Sequence, residues 1–308
     1  MGWGFGEQIE ETTFALSIIL KNFKEKFDII HLQDAHVAQA LQFANRLKIF
    51  NAKVILGHGT EEPFWFLNKF DYLQHLAPYH LKEALENCGG RRDRKGWFAV
   101  PNFVDTGRFA PRRNLDLRRE LNIPEDAFVV LSVAAIKATH KRVDYLVREM
   151  ARLISAPAGH RNIYLVVAGG KTPQSDQIMD AGQKLLGDKI KFLVNRPAEQ
   201  MPVIHNIADL FVLCSLKEMM PIALLEGLAS GLPCLGNNYP VIEWMIGAGG
   251  ECINMAEEGT LAETIKKYFN TEYRLDKTQK ARQQALKNFS KEAVTEQILE
   301  MYDKVVNG

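Results

Sequence analysis

Apolar residues along this chain alternate between short continuous runs and stretches in which they recur every three or four positions. The runs predict buried strands, and the spaced stretches predict amphipathic helices. The predicted strands are Phe27–Leu32, Lys53–Leu56, Gly96–Val100, Phe128–Ala134, Ile163–Ala168 and Ile190–Val194. The predicted helices are Glu10–Phe23, a segment through Val37, Leu41 and Ala44, Val143–Leu153, Ile178–Leu186, Met201–Ile207, Val241–Ile246, Leu261–Phe269, Asp276–Lys287 and Lys291–Val305. This alternation predicts an α/β fold with parallel sheets.

Three stretches interrupt the pattern. The aromatic-rich segment between Thr60 and Gly96 has no regular period, and Gly249–Gly250 predicts a turn. Pro101–Pro111 has a proline at each end with Asn, Asp and Gly between, so it is the predicted domain boundary. A length of 308 residues fits two domains or one large one.

The stretch Leu210–Gly236 predicts a strand, a loop, a helix, a turn and a second strand, which together form the unit of a parallel α/β sheet. Glu218 follows the first strand, and ligands of open parallel sheets bind at the carboxyl ends of strands. Glu226 lies inside the helix, beside an otherwise apolar face. Carboxylates at these two positions suggest chemistry, and helix-surface or capping carboxylates are the alternative interpretation.

The composition argues against several classes of protein. The chain is 46% hydrophobic and 24% charged, and its 38 Lys and Arg residues nearly balance its 37 Asp and Glu residues. No global field therefore favours nucleic acid or an anionic membrane as a partner. Basic clusters occur at Arg91–Arg92, Arg94–Lys95, Arg112–Arg113 and Arg118–Arg119. A solvated face is expected there, and a patch for anionic lipid or substrate is the alternative.

Cysteine spacing and the absence of long apolar runs bear on location. Cys88, Cys214, Cys234 and Cys252 form no C-x-x-C pair, so they predict small reduced core residues rather than disulfides or a zinc site. No apolar run approaches the roughly 20 residues of a membrane span, and the N-terminus has no signal-peptide pattern. We therefore expect a cytoplasmic protein, with peripheral association at the inner face of the membrane as an alternative.

Polar residues follow four predicted strands of the second half where each strand ends. They are Lys137, His140, Lys141 and Arg142; Gly169, Gly170 and Lys171; Asn195 and Arg196; and Ser215, Lys217 and Glu218. Cations and helix N-termini suit a phosphate, and carboxylates accept hydrogen bonds from sugar hydroxyls. The pattern predicts a nucleotide or sugar-phosphate site. The sequence has no P-loop, no G-x-G-x-x-G opening a first βα unit and no Asp-x-Asp pair, so it predicts neither a P-loop ATPase, a nicotinamide enzyme nor a metal site.

The second half resembles the retaining glycosyltransferases of the glycogen-synthase-like type, which have the GT-B fold of two Rossmann-like domains. Glu218–Glu226 is similar to the family's Glu-x7-Glu motif. Lys141–Leu146 is similar to its Lys-Gly-Val-Asp segment, and Leu165–Gly170 to its glycine-rich strand end. Pro101–Asp105 resembles its interdomain Pro-Asn-Gly-Val-Asp, and Phe289–Glu292 resembles the start of its terminal helix.

The resemblance implies an α/β, GT-B-like fold with two Rossmann-like domains, the first of them truncated. It implies a partial acceptor-side domain over 1–105, a nucleotide-sugar donor domain over 106–288, and a terminal helix over 289–308 that returns to the first domain. On this resemblance we expect the first strand–helix units of the family's acceptor domain to be missing, either because the domain is reduced or because the chain is a fragment or an alternative start.

The resemblance also implies residue roles. Lys141, with Lys137 beside it, would contact the donor diphosphate, Glu226 the ribose, and Glu218 the transferred sugar. The other donor-binding residues would be Gly169, Gly170, Asn195, Arg196, Met219, Met220 and Ile222, with Asn195 and Arg196 by the base. The candidate catalytic residues are Glu218, His31, Asp34 and His36. For His31, a hydrogen-bonded strand-end histidine is the alternative.

The chain departs from the family's pattern at four places. Ile136 stands where a basic residue is usual, and Lys171 where a second glycine is usual. Met219–Pro221 replaces the usual Gly-Phe-Gly, so the loop is stiffer and Pro221 offers no N–H. Gln33 stands where a second histidine is often found, and Asp34, His36 and His58 are candidates for its polar role.

The leading hypothesis is a metal-independent, retaining hexosyltransferase that needs no cofactor. It would move a sugar from a nucleotide-sugar donor to a saccharide, lipid or other acceptor, with no nucleic acid partner. The second hypothesis is a truncated donor-binding or scaffold protein without transfer activity, and the third is a GT-B-fold epimerase or phosphorylase. The sequence predicts neither the donor sugar and base, nor the acceptor, nor the oligomeric state.

Overall fold

The computed structural model describes residues 5–49, 51–88, 94–155 and 162–308. The chain forms two compact units: unit 1 comprises Met1–Asn102 and Val294–Gly308, and unit 2 comprises Phe103–Ala293. The predicted basic pair Arg91–Arg92 lies outside the described residues.

Unit 1 is built on a parallel four-stranded sheet. Its elements are α1 (Phe5–Glu25), β1 (Ile29–Leu32), α2 (Ala35–Arg46), β2 (Lys53–His58), α3 (Phe64–Leu67), β3 (Tyr72–His75), α4 (Pro78–Asn87) and β4 (Trp97–Ala99). The strands lie in the order β1-β2-β3-β4, so each strand pairs with its neighbour in the chain. Short helical crossovers on a parallel sheet confirm the predicted fold class for this half.

The prediction missed the elements between Thr60 and Gly96. This segment holds α3, β3 and α4, and β3 is a central strand. Gln74 and His75 are polar residues of β3, yet both are buried, and the Gln74 side chain donates to the carbonyl of Val100 at 2.8 Å. Because these buried polar residues interrupt the apolar run, hydrophobic periodicity alone could not find the strand.

The last helix, α13 (Lys291–Asn307), continues from unit 2 into unit 1. The Ser290 hydroxyl accepts a hydrogen bond from the N–H of Ala293 at 3.2 Å and caps the helix, as predicted. Within unit 1 the helix packs against the sheet through Val294, Met301 and Val305, which cluster with Ile55 and Val100.

Unit 2 is a larger α/β unit on a parallel six-stranded sheet. Its helices are α5 (Leu115–Glu120), α6 (Val143–Ser155), α7 (Ser175–Leu186), α8 (Met201–His205), α9 (Ile222–Ala229), α10 (Pro240–Ile246), α11 (Thr260–Lys267) and α12 (Thr271–Asn288). Its strands are β5 (Phe128–Val133), β6 (Ile163–Gly169), β7 (Ile190–Val194), β8 (Leu210–Val212), β9 (Cys234–Asn237) and β10 (Gly250–Ile253). The strand order is β10-β9-β8-β5-β6-β7. From β5 the chain adds β6 and β7 on one side of the sheet. It then crosses back and adds β8, β9 and β10 on the other side of β5.

Two element predictions for unit 2 are wrong. Helix α5 was not expected, and Gly249–Gly250, expected as a turn, leads directly into β10. A Cβ atom at Gly250 would lie 1.8 Å from the carbonyl oxygen of Cys234. Glycine therefore permits a backbone approach that brings β10 alongside β9, and its lack of a side chain hid the strand from the apolar pattern.

One basic cluster is not solvated as predicted. Arg118 is 1% exposed, and its guanidinium pairs with Asp209 at 2.9 Å. It also donates to the carbonyls of Ile207 and Ala127. Arg118 therefore joins the segments that enter β5 and β8, whereas its neighbour Arg119 is exposed.

All four cysteines are free thiols, and all but Cys252 are buried, in agreement with the prediction for core residues. Among the helices of the described residues, none combines the length and the apolar character needed to cross a bilayer.

Candidate functional site

The sheet of unit 2 has a switch point between β5 and β8, where the chain leaves in opposite directions. In open α/β sheets, the loops at the carboxyl edge diverge at such a switch point, and ligands bind between them. The polar residues singled out from the sequence follow β5, β6, β7 and β8, so they belong to this edge.

Two of these loops meet through an ion pair. The ammonium group of Lys141, after β5, contacts Oε1 of Glu218, after β8. Nε2 of His140 lies 3.8 Å from Oε2 of Glu218 and 3.0 Å from the carbonyl oxygen of Lys217, to which it donates. His140 and Arg142 have φ angles of 66° and 51°, a left-handed conformation that is uncommon for residues other than glycine. This strained backbone presents Lys141 to Glu218, and such strain clusters at functional sites.

The loop after β5 is also tied to the loop after β6. Oε1 of Gln174 accepts the N–H of Ala138 at 3.0 Å, and the Thr172 hydroxyl donates to the carbonyl of Ile136 at 2.8 Å. The Ile136 side chain is fully buried, which explains why this position carries no charge. Lys137, beside it, is half-buried at the same loop.

Gly169 and Gly170 differ in how much space a side chain would have at each position. A Cβ at Gly169 would lie 1.8 Å from the carbonyl oxygen of Ala134, so this glycine allows two strand ends to approach. A Cβ at Gly170 would meet only Oδ1 of Asn195, at 3.9 Å. The same Oδ1 accepts the N–H of Lys171 at 2.9 Å, which joins the loops after β6 and β7.

Arg196 is exposed and lines a cavity of 340 Å³ between α5, the end of β7 and α8. The other residues that line this cavity are Asn114, Asp116, Leu117, Glu120, Leu193, Gln200, Val203 and Ile204. No hydrogen bond among the described residues joins the Arg196 side chain to Lys141 or Glu218.

The loop from Glu218 to α9 places apolar residues beside the carboxylate. Met220 is buried, Met219 is half-buried, and Ile222 is 45% exposed at the first turn of α9. Pro221 precedes this helix and makes no side-chain cap. The first N–H groups of α9 are therefore the polar groups that this loop offers to a ligand.

Glu226 lies one turn into α9, and its side chain is 17% exposed. Burial raises the pKa of its carboxyl group to about 7, and the positive charge of Arg108 only partly offsets this. The carboxyl Oε2 lies 3.9 Å from Nε2 of His205, whose side chain is fully buried. Burial lowers the pKa of His205 to about 4. His205 was not among the predicted site residues.

In unit 1, the structure gives the candidate catalytic residues local partners. Nδ1 of His31 lies 2.9 Å from the hydroxyl of Tyr302, and burial lowers the pKa of His31. Oδ1 of Asp34 accepts the N–H groups of His36 and Val37, so Asp34 is the N-cap of α2. His36 itself is exposed.

A buried histidine pair also lies in unit 1, at the carboxyl ends of β2 and β3. Nδ1 of His58 lies 3.2 Å from Nδ1 of His75. Burial lowers the pKa of His58 to about 4 and that of His75 to about 3, so both rings are neutral at pH 7. His75 was missed together with its strand.

Comparison with known proteins finds a matching family and several sequence relatives. Residues 114–288 match the family described as Glycosyl transferases group 1. The chain is 26% identical over 220 residues to D-inositol 3-phosphate glycosyltransferase of Salinispora arenicola, covering 66% of this chain and 48% of that protein. It is 24% identical over 211 residues to N-acetyl-alpha-D-glucosaminyl L-malate synthase of Bacillus anthracis, covering 67% of this chain and 53% of that protein. The chain thus spans about half the length of these curated relatives.

Solved structures share the fold over nearly the whole chain. Sucrose-phosphate synthase of Thermosynechococcus elongatus aligns with a TM-score of 0.80 at 18% identity, covering 100% of this chain and 81% of that one. Anabaena Alr3699/HepE in complex with UDP aligns with a TM-score of 0.78 at 16% identity, covering 94% and 81%. These likenesses confirm the predicted α/β fold with two parallel sheets, which matches GT-B glycosyltransferases.

Proposed function

The chain belongs to the glycosyl transferases group 1 family, and from this membership we propose that it transfers a sugar from a nucleoside-diphosphate-sugar donor to an acceptor. The main observation that supports the proposal is the ion pair between Lys141 and Glu218 at the switch point of the sheet. A cation for phosphate and a carboxylate for sugar hydroxyls lie side by side there, with Glu226 in the helix that follows.

In the proposed donor complex, the Lys141–Glu218 ion pair is exchanged for ligand contacts. Lys141 binds the diphosphate, Glu218 accepts hydrogen bonds from the transferred sugar, and Glu226 accepts them from the ribose. The N–H groups at the start of α9, at and beside Ile222, supply further donors. Fixed positive groups at the diphosphate stabilise the charge that develops on the leaving group, which is where electrostatic catalysis acts.

The remaining donor contacts are proposed on the resemblance and on position. Lys137 lies beside the diphosphate site. Gly169 allows the end of β6 to lie close to Ala134, and Gly170 leaves the space beyond it open to the ligand. Asn195 and Arg196 lie toward the base, and Met219 and Met220 line the sugar pocket. On the resemblance we propose a reaction without metal or cofactor, in which Lys141 supplies positive charge at the diphosphate. Retention of anomeric configuration is a further part of the proposal.

The acceptor is proposed as a hydroxyl compound. The names of the matched relatives point to different acceptors, among them D-inositol 3-phosphate, L-malate and, for an Escherichia coli relative, a GlcNAc-diphosphoundecaprenol. The last of these is a sugar linked to a lipid carrier. The proposal therefore includes acceptors that lie at a membrane surface. The alternatives of a scaffold, epimerase or phosphorylase are not favoured, because these relatives are named as transferases or synthases.

Calorimetric titration with UDP, GDP, ADP and their glucose conjugates tests the donor site. UDP comes first because HepE was solved with UDP and with UDP-glucose. We expect one nucleoside diphosphate to bind, and Lys141→Ala and Glu226→Ala each to weaken it about tenfold or more, since each removes a charged hydrogen-bond partner. Lys184→Ala, an exposed lysine in the last turn of α7, is the control and should bind as wild type does. Unchanged titration curves for both site variants would refute the donor site.

Transfer itself is tested by following a radiolabelled sugar. We expect the label to leave the nucleotide, slowly to water without an acceptor and faster when a suitable hydroxyl compound is added. A protein that binds the nucleotide sugar but never releases the label, across a panel of saccharide and lipid-linked acceptors, would support the scaffold hypothesis instead.

A further inference from the structure

His205, the last residue of α8, is a buried imidazole held in one orientation. Its Nδ1 lies 2.8 Å from the carbonyl oxygen of Met201, and because a carbonyl only accepts, Nδ1 carries the hydrogen. The ring stacks on Phe211 at a centroid distance of 5.8 Å and meets the edge of Phe109 at 5.5 Å. In the neutral ring, Nε2 is therefore an acceptor in a fixed position.

This acceptor faces a carboxyl group. Nε2 of His205 makes no hydrogen bond of good geometry with the described residues, although the backbone of Ala223 interacts with the ring and raises its pKa, and Oε2 of Glu226 lies 3.9 Å away. The gap is about 1 Å longer than a hydrogen bond, which rotation about the side-chain bonds of Glu226 can close. A bare carboxylate facing a bare lone pair in a buried place is unfavourable, because neither supplies a proton. One proton between the two atoms satisfies both.

The charged groups around Glu226 do not remove the need for this proton. Arg108 favours the carboxylate but is outweighed by burial. From α12, which packs on α9, Arg282 donates to the backbone carbonyls of Ala229, Phe109 and Thr106.

The other neighbours of α9 contribute little charge. Glu243 of α10 is exposed, and Cys234 of β9 is a buried thiol whose pKa burial raises. With the carboxyl pKa of Glu226 near 7 and the imidazole pKa of His205 near 4, the proton belongs to the carboxyl group and the imidazole accepts it.

We propose that His205 is a positioning residue for Glu226: its Nε2 accepts the carboxyl proton in the empty site, and binding of the ribose releases that proton. The O–H bond of the carboxyl group breaks, the proton passes to water, and both carboxylate oxygens become free to accept hydrogen bonds from the ribose hydroxyls. This inference rests on the proposed contact between Glu226 and the ribose. Nucleotide-sugar binding is then linked to pH through a pair of residues outside the diphosphate site.

Calorimetric titration with UDP-glucose measures the linkage directly. The phosphates of this ligand are diesters that stay ionised near neutral pH, so any proton released comes from the protein. We expect about half a proton to be released at pH 7, counted from the binding heats in buffers of different ionisation enthalpy. The association constant should fall about tenfold per pH unit below pH 6 and level off above pH 8.

Two variants separate a positioning role from a merely structural one. Glu226→Gln should bind more weakly, with no pH slope and no proton release. His205→Phe keeps a stacked ring but has no acceptor, so the inflection should move to lower pH by half a unit or more, because the protonated carboxyl group loses its partner. Release of no proton by the wild type, or an unmoved inflection in His205→Phe, would overturn the proposal.

Infrared spectroscopy tests the shared proton without any ligand. The difference spectrum of wild type minus Glu226→Gln should show a protonated-carboxyl band that titrates near pH 7 and shifts in frequency in His205→Phe. Absence of this band between pH 5 and 6 would also overturn the proposal. If the band is present but none of the nucleoside diphosphates or their glucose conjugates binds, the donor assignment and its coupling to ribose fail while the proton pair stands. If UDP-glucose binds without proton release, the inference fails and the proposed function stands.

Discussion

Glu226→Gln should make the protein more stable than wild type at high pH, and the gain should disappear at low pH. The substitution replaces the carboxyl group by a neutral amide of nearly the same size. In the folded protein, the pKa of this carboxyl is raised from 4.5 to about 7 by burial, so the native state holds the proton more tightly than the unfolded chain does. The stability that this proton contributes is fully present below pH 4.5 and is lost as pH rises through 7.

The size of the effect follows from the separation of the two pKa values. Each unit of separation corresponds to 1.36 kcal/mol, so a difference of about 2.5 units gives about 3 kcal/mol of stability lost by wild type between pH 4.5 and pH 8. The amide of Glu226→Gln does not titrate, so the variant loses none of this stability. The free energy of unfolding of Glu226→Gln minus that of wild type should therefore increase by about 3 kcal/mol over this range.

Urea unfolding at constant ionic strength, followed by circular dichroism at pH 5, 6, 7 and 8.5, gives this difference. Glu243→Gln is the matched control, because Glu243 is an exposed helical carboxylate in the same unit, and its difference from wild type should stay within about 0.5 kcal/mol at every pH. A Glu226→Gln difference that is constant with pH, or that shrinks as pH rises, would refute the assignment of a buried, protonated carboxyl group.

Two further predictions concern backbone positions. Gly169→Ala should lower the free energy of unfolding by at least about 2 kcal/mol, because its Cβ would overlap the carbonyl of Ala134, whereas Gly170→Ala should lower it by less than about 1 kcal/mol. Equal losses in thermal unfolding would contradict the close approach of the two strand ends. Asp34→Ala should lose about 1 kcal/mol and Asp34→Asn much less, since an amide oxygen still caps α2. If Asp34→Asn keeps its stability but loses sugar transfer, the carboxylate has a chemical role besides the cap, and an unchanged stability of Asp34→Ala would exclude the cap.

Apolar runs predicted the strands that are almost entirely apolar, and failed at a strand whose buried residues are polar. β5 and β6 were found because all positions but one in each strand are hydrophobic. β3 was missed because Gln74 and His75 are buried through hydrogen bonds and ring packing. The spacing of apolar residues along a sequence reveals the buried positions only where those positions hold apolar residues. A strand whose buried residues are functional or hydrogen-bonded polar groups is therefore not detected by this spacing.

The candidate site was also predicted only in part, because some of its contacts depend on loop conformation and helix packing. That Lys141 and Glu218 share one edge of the sheet follows from strand order, but their ion pair depends on loop conformations with positive φ that no spacing encodes. His205 gave no signal, because it meets Glu226 only through the packing of α8 against α9. Asp34 was proposed for catalysis, although an Asp directly before a helix is also a signal for an N-cap.

The path of α13 sets the order in which the chain can fold. Unit 1 is made of two stretches separated by the whole of unit 2, and the second stretch supplies Val294, Met301 and Val305 to the sheet face around Ile55 and Val100. During synthesis, the segments of unit 2 leave the ribosome before this helix does. The strands of unit 1 therefore keep one apolar face uncovered until α13 has been made. Loss of the residues from Met301 to Val305 would then damage unit 1 before unit 2.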